Sequence, residues 1–181
     1  MDYIYERYSK IFKNGIWNIY NYNIRKEEFI VFAKTLETDK TIYKLNLSYN
    51  NIDDDCIIAL AKALKSNQTL HTLNLDNNKI SDIGLSVLIP VLLINKTLHT
   101  LTISYNNITK IKPMTILLIR ILEKKTIHTL GIYGYNIDNR VKNEINVLLN
   151  RNYNLYILNE VRFGKRAQTN IIDLNNNHNI F

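Results

Sequence analysis

One cysteine, Cys56, stands in a chain of 181 residues, so no disulfide can close within it and no cysteine-based zinc site can assemble. A secreted scaffold of this size would more often carry bridges, and a reducing compartment is expected. Long apolar runs are also missing: Val87 to Ile94 and Ile116 to Ile119 fall far short of the ~20 residues that span a bilayer. The opening stretch, Met1 to Lys10, is charged at Asp2, Glu6 and Arg7 and has no apolar segment of a secretory leader. An intracellular, cytoplasmic protein is therefore expected. Asn67, Asn95 and Asn107 each begin an N-x-T sequon, which without export is a by-product of the chain's periodicity. Heavy use of Asn, Ile, Tyr and Lys, including the run 175–177, reads as the codon bias of an AT-rich genome. Nothing matches GxxxxGK[ST], GxGxxG, HExxH or GxSxG, so the chain shows no phosphate-cradling loop, zinc-protease helix or nucleophile elbow.

What the chain does have is a repeat. Thr69 to Leu75 (TLHTLNL) recurs as Thr41 to Leu47 (TIYKLNL), Thr97 to Ile103 (TLHTLTI) and Thr126 to Ile132 (TIHTLGI), with starts separated by 28, 28 and 29 residues. Each continues alike, through Ser48 to Ile52, Asp76 to Ile80, Ser104 to Ile108 and Tyr133 to Ile137. A weaker copy at Trp17 to Ile24 makes five repeats, and Asn154 to Leu158 (NLYIL) reads as a partial sixth. Within a copy, Leu70, Leu73 and Leu75 alternate at the period of a strand, and Leu85, Leu88, Ile89 and Leu92 follow at helical spacing. One 28-residue unit cannot bury these side chains alone, so the units must stack into a parallel sheet backed by helices.

The pattern Leu70-x-x-Leu73-x-Leu75-x-x-Asn78-x-Ile80 resembles the leucine-rich-repeat family, in its ribonuclease-inhibitor-like class. The resemblance implies an α/β fold: a curved right-handed solenoid with the parallel sheet on the concave side and helices on the convex side. It also implies that Asn50, Asn78 and Asn106 form a structural ladder bonded to the backbone of adjacent turns. Tyr22 and Tyr135 replace that asparagine in the outermost copies, and the family's convex-side glycine is kept only at Gly84. Asp53, Ser81 and Asp138 are expected N-caps, Pro113 suits a first helical turn, and Pro90 should kink or shorten its helix. The expected organisation is an N-terminal capping helix over 1–12, repeats over 13–158, and a C-terminal cap and tail over 159–181.

Candidate chemistry is sparse. His71, His99 and His128 share a repeat position and should stack on adjacent strands, but no carboxylate is in register with them, and repetition explains the row better than a metal site. Cys56 lies at a helix entry with no histidine in its own repeat. Asp53, Asp54 and Asp55 suit a helix N-terminus and lack the spacing of a calcium loop. No catalytic residue, cofactor or metal is expected, and the chain reads as a non-enzyme.

Two surfaces remain for binding. If Leu73 and Leu75 point inward, alternation turns Thr72, Asn74 and Asp76 outward on the concave face. Lys44, Asn46 and Ser48, then Thr100, Thr102 and Ser104, then Thr129 and Tyr133 follow by repetition, with Tyr20, Tyr49 and Tyr105 as aromatic anchors. A protein partner on this face, engaged by an adaptor or inhibitor, is the leading reading. The rival is nucleic acid or another acidic surface. From Lys110 to Arg166, eleven Lys or Arg oppose four acids, a net of +7, so the rest of the chain sums to zero. Arg120, Lys124, Lys125, Arg140, Lys142 and Arg151 would form that basic patch. In the tail, Ile171, Ile172 and Leu174 are expected to cover the open edge of a sixth strand at Ile157 to Val161.

Overall fold

The computed structural model describes residues 12–162. A two-residue strand β1 (Phe12–Lys13) pairs antiparallel with β2 (Ile16–Asn18). Strand–helix units follow: α1 (Lys26–Leu36), β3 (Lys44–Asn46), α2 (Asp54–Ser66), β4 (Thr72–Asn74), α3 (Asp82–Leu92), β5 (Thr100–Thr102), α4 (Ile111–Glu123), β6 (Thr129–Gly131) and α5 (Asn139–Arg162). The six strands form one sheet in chain order, and β2 through β6 are all parallel. Ile16, Lys44, Thr72, Thr100 and Thr129 lie side by side, so the sheet register is the sequence repeat itself.

The core runs as stacked layers. Leu45, Leu73 and Leu101 in the strands are fully buried against Leu60, Leu64, Leu88 and Leu122 in the helices. Each such side chain contributes about 1.5 to 3 kcal/mol by leaving water. At the N-terminal end the strand-centre leucine becomes Trp17, which stacks on Phe32 at 4.9 Å, so a larger aromatic pair closes the first layer.

Asp53 caps α2 by accepting the Cys56 N–H at 3.1 Å, Ser81 caps α3 through Ile83, and Asp138 accepts from Arg140 N–H ahead of α5. Pro113 falls in the first turn of α4. Pro90 does not break α3. It lies in the last turn, and the helix has 11 residues where α2 has 13. There it forfeits one bond of the helix, the one its own N–H would make to the Ser86 carbonyl.

Two ends depart from expectation. Phe12 is a strand residue rather than the end of a helix, because Asn14 (φ 50°) and Gly15 (φ 75°) form a tight left-handed turn into β2. The Asn-Gly pair was the sequence signal for it. The expected capping helix otherwise falls on residues 1–11, outside the described residues. At the other end, the expected sixth repeat is helical: α5 runs unbroken from Asn139 to Arg162, so Asn154 to Leu158 and Ile157 to Val161 lie in a helix and add no strand after β6. No Gly or Pro interrupts this segment, and the threonine that turns the chain into β3, β4, β5 and β6 is replaced by Asn154. The tail cluster at Ile171, Ile172 and Leu174 lies outside the described residues.

Candidate functional site

Three polar ladders join each repeat to the next and thereby fix the surface the sheet presents. The first lies just past the strands. Asn78 Nδ2 donates to Leu47, Leu75 and Asp76 carbonyls at 3.0–3.1 Å, and its Oδ1 accepts from Asn50 and Ile52 N–H. Asn50 and Asn106 repeat this with Ile19 and Leu75 one turn back. Tyr135 completes the ladder by another route: its phenol donates to the Ile103 carbonyl at 2.5 Å and accepts from the Asn106 N–H. Burial pushes that phenol up to about 12.

The second ladder precedes the strands. Asn67 Nδ2 donates to Leu36 and Asp39 carbonyls while Oδ1 accepts from Thr69 and Leu70, and Asn95 does the same with Leu64 and Asn67 carbonyls. Asn152 closes it from within α5, reaching the Leu122 and Ile127 carbonyls at 2.8 and 2.7 Å. Asn67 and Asn95 are 2% and 4% exposed, so these sequons sit in the interior. The N-x-T-Leu recurrence carried this structural message, and the ladder reading was missed there.

The third joins helix starts. Asp54 accepts from Ser81 and Gly84 N–H at 2.8 and 3.0 Å, and Asp82, one repeat on, accepts from Thr109 and Lys110 N–H. The Thr109 hydroxyl holds Asp82 below the usual carboxylate range. Lys26 occupies the same position in α1 and binds Asp55 and Asp53, which raise its ammonium above the usual lysine range. The acidic run is thus spent on caps and cross-links.

On the inner sheet face, alternation alone misjudged exposure. Asn46, Ser48, Asn74, Thr102 and Ser104 point away from the core yet are buried, between 2% and 7% exposed. Parallel strands about 4.8 Å apart on a concave surface leave little room above such side chains, and they cover one another. Asn46 donates to Asn18 at 2.9 Å, and the Ser48 hydroxyl donates to Asn46 at 2.7 Å. Lys44, Thr72, Asp76, Thr100 and Thr129 are half-buried. Burial raises the Asp76 carboxyl pKa, partly offset by bonds from Ser104 and Thr102, and burial lowers that of Lys44.

The exposed groups therefore sit on the two rims. At the strand exits Tyr20, Tyr49, Tyr105 and Tyr133 are each about half exposed, with Tyr22 beside them. Tyr20 and Tyr49 meet edge to face at 5.2 Å. At the strand entries His71, His99 and His128 form the expected row, with ring centroids 5.3 and 5.4 Å apart. Tyr156 extends it from α5, its ring tilted against His128 with centroids 4.5 Å apart. Burial and the neighbouring His99 push His128 down to about 4, and its Nε2 is buried without a hydrogen-bond partner. A histidine whose folded pKa lies below its free value near 6.5 lends full stability above that pH and loses it on acidification. We expect thermal stability to fall between pH 6.5 and about 4 by on the order of 1 to 3 kcal/mol, and His128→Phe to flatten that limb of a melting-versus-pH curve. An unchanged limb would show that another group titrates.

The basic residues do not form one patch. Arg120, Lys124 and Lys125 are exposed at the end of α4, whereas Arg140 and Lys142 are exposed in the first turn of α5. Parallel strand–helix units put these at opposite ends of adjacent helices. Arg151 is half-buried and donates to the Leu122 carbonyl at 3.0 Å. Cys56 is buried, and desolvation pushes its thiol up to about 11, far from a reactive thiolate. Among the described residues no group of three or more His, Cys, Asp or Glu is placed to hold a metal ion, and no helix is long and apolar enough to cross a membrane.

Stacked strand–helix units joined by an asparagine ladder define a leucine-rich-repeat α/β solenoid. Residues 39–61 and 66–88 of the chain match the family model described as a leucine rich repeat, and its fold is that of a leucine-rich-repeat protein. Its fold is similar to a solved structure titled Leiomodin-1 Actin-Binding Site 2, with a TM-score of 0.75 and 26% identity over 92% of this chain and 97% of that one. The tropomodulin C-terminal domain of Caenorhabditis elegans is similar in fold, with a TM-score of 0.73 and 19% identity over 91% and 98%. No curated protein matches the chain in sequence.

Proposed function

We propose that the chain is a non-enzymatic protein-binding module of the cell interior that takes its partner on the concave sheet and its rims, as an adaptor or inhibitor. The observation that carries this reading is the row of half-exposed tyrosines along the strand exits, rigid amphipathic anchors of the kind that dominate protein interfaces. The overall likeness to an actin-binding region makes actin the first partner to try. A role for nucleic acid is weakened by the separation of the basic residues between opposite helix ends.

Co-sedimentation tests both. The chain should pellet with filamentous actin, and Thr72→Arg with Thr100→Arg, on the half-buried inner face, should weaken that binding by at least about tenfold. A chain that stays in the supernatant but is held by heparin resin and released by moderate salt would transfer the function to the basic half.

A further inference from the structure

The third residue past each strand end of β2 to β6 lies in the left-handed region: Asn21 (φ 56°), Tyr49 (57°), Asn77 (54°), Tyr105 (54°) and Gly134 (84°). Asparagine and glycine accept this conformation readily, whereas a bulky side chain there is a genuine outlier. Two of the five turns nevertheless carry tyrosine, and those rings are 50% and 58% exposed. Burial cannot account for a strained, half-exposed aromatic. The Tyr105 ring lies against the next turn, so close that a Cβ on Gly134 would sit 2.5 Å from its Cδ1, which holds the ring in one place.

We propose that this exit rim binds a proline-rich segment of the protein partner in the polyproline II conformation, lying across the strands with successive turns on Tyr49 and Tyr105. The inference rests on the protein-binding reading and names the chemistry of what is bound. Tyr49 and Tyr105 are two repeats apart, about 9.6 Å at the strand spacing. A polyproline II helix rises about 9.3 Å per three-residue turn, so every third residue would meet a tyrosine. Its backbone carbonyls are all unpaired and take phenol and amide donors, and Asn77 lies between the two rings. An α-helix offers no such acceptors and needs an apolar groove, but the floor beside this rim is Asn46, Ser48, Asn74, Thr102 and Ser104. Tyr20, Tyr49, Tyr105 and Tyr133 are uncharged, which suits an uncharged ligand.

Fluorescence anisotropy of labelled decaproline against the full chain tests the proposal, with Tyr49→Asn and Tyr105→Asn as variants. Asparagine tolerates the left-handed turn, so both variants should melt at the same temperature as the parent or higher, while each raises Kd by about tenfold. Affinity should change little between about 50 and about 500 mM salt. A peptide with proline at every third position should bind, and one of the same length and composition in scrambled order should bind more weakly. No saturable binding, equal affinity in the variants, or a fall in melting temperature in both would overturn the proposal. Decaproline failing while the chain still pellets with actin would reject this ligand and leave the protein-binding reading standing.

Discussion

Asn78→Ala should lower the free energy of unfolding by roughly 3 to 5 kcal/mol, several times the effect of Asn77→Ala next to it. Asn78 is 7% exposed and joins its own repeat to the preceding one, donating to Leu47, Leu75 and Asp76 carbonyls and accepting from Asn50 and Ile52. Removing the amide leaves buried donors and acceptors without partners, each costing about 1 to 3 kcal/mol. The loss falls in the middle of the stack, at the interface between the second and third repeats. Asn77 is half-buried and its contribution is conformational: alanine at φ 54° costs about 1 to 2 kcal/mol, and Asn77→Gly should recover most of that. Urea unfolding of the three variants provides the comparison, and equal midpoints for Asn78→Ala and Asn77→Ala would contradict the ladder.

Asn152→Ala should cost about 1 to 3 kcal/mol although it lies in a helix and alanine is the better helix former. The side chain is 1% exposed and its amide donates to the Ile127 carbonyl and to the Leu122 carbonyl, the latter shared with Arg151 and the Lys125 N–H. It also pins the half of α5 that lays Tyr153 and Tyr156 over His128. Hydrogen exchange should therefore speed up along 150–157 as well as the melting temperature fall. Asn150→Ala, on the exposed side of the same helix, is the matched control and should change neither. If both substitutions behave alike, α5 is held by its apolar face alone.

The repeat was legible because burial demands it. A side chain such as Leu73 is shared between units, so its spacing in the chain had to equal the spacing of the strands, and the observed register of Lys44, Thr72, Thr100 and Thr129 is the 28, 28 and 29 residue period laid out in space. The ladder at Asn50, Asn78 and Asn106 was legible through the resemblance to the leucine-rich-repeat family, whose pattern places those asparagines. The second ladder at Asn67 and Asn95 carried an equally regular signal, but the N-x-T triplet has a competing meaning that only burial removes. Tyr135 was not legible: its reach to the Ile103 carbonyl depends on a ring long enough to replace an amide from farther out.

By itself, then, the sequence determined the period, the parallel order of the strands, the core layers and the caps at Asp53, Ser81 and Asp138, since all of these follow from local chemistry repeated at fixed intervals. Only the tertiary structure decided how the chain ends and what its surface offers. The NLYIL segment carries a strand-like pattern, yet α5 stays helical through it and still delivers Asn152 to the ladder and Tyr156 to the histidine row. On the sheet, period-two alternation says which way Asn46, Asn74 and Thr102 point, but their exposure depends on neighbours one repeat away. Strands packed about 4.8 Å apart on a curved face bury small polar side chains against each other and leave the longer tyrosines of the exit rim standing above them.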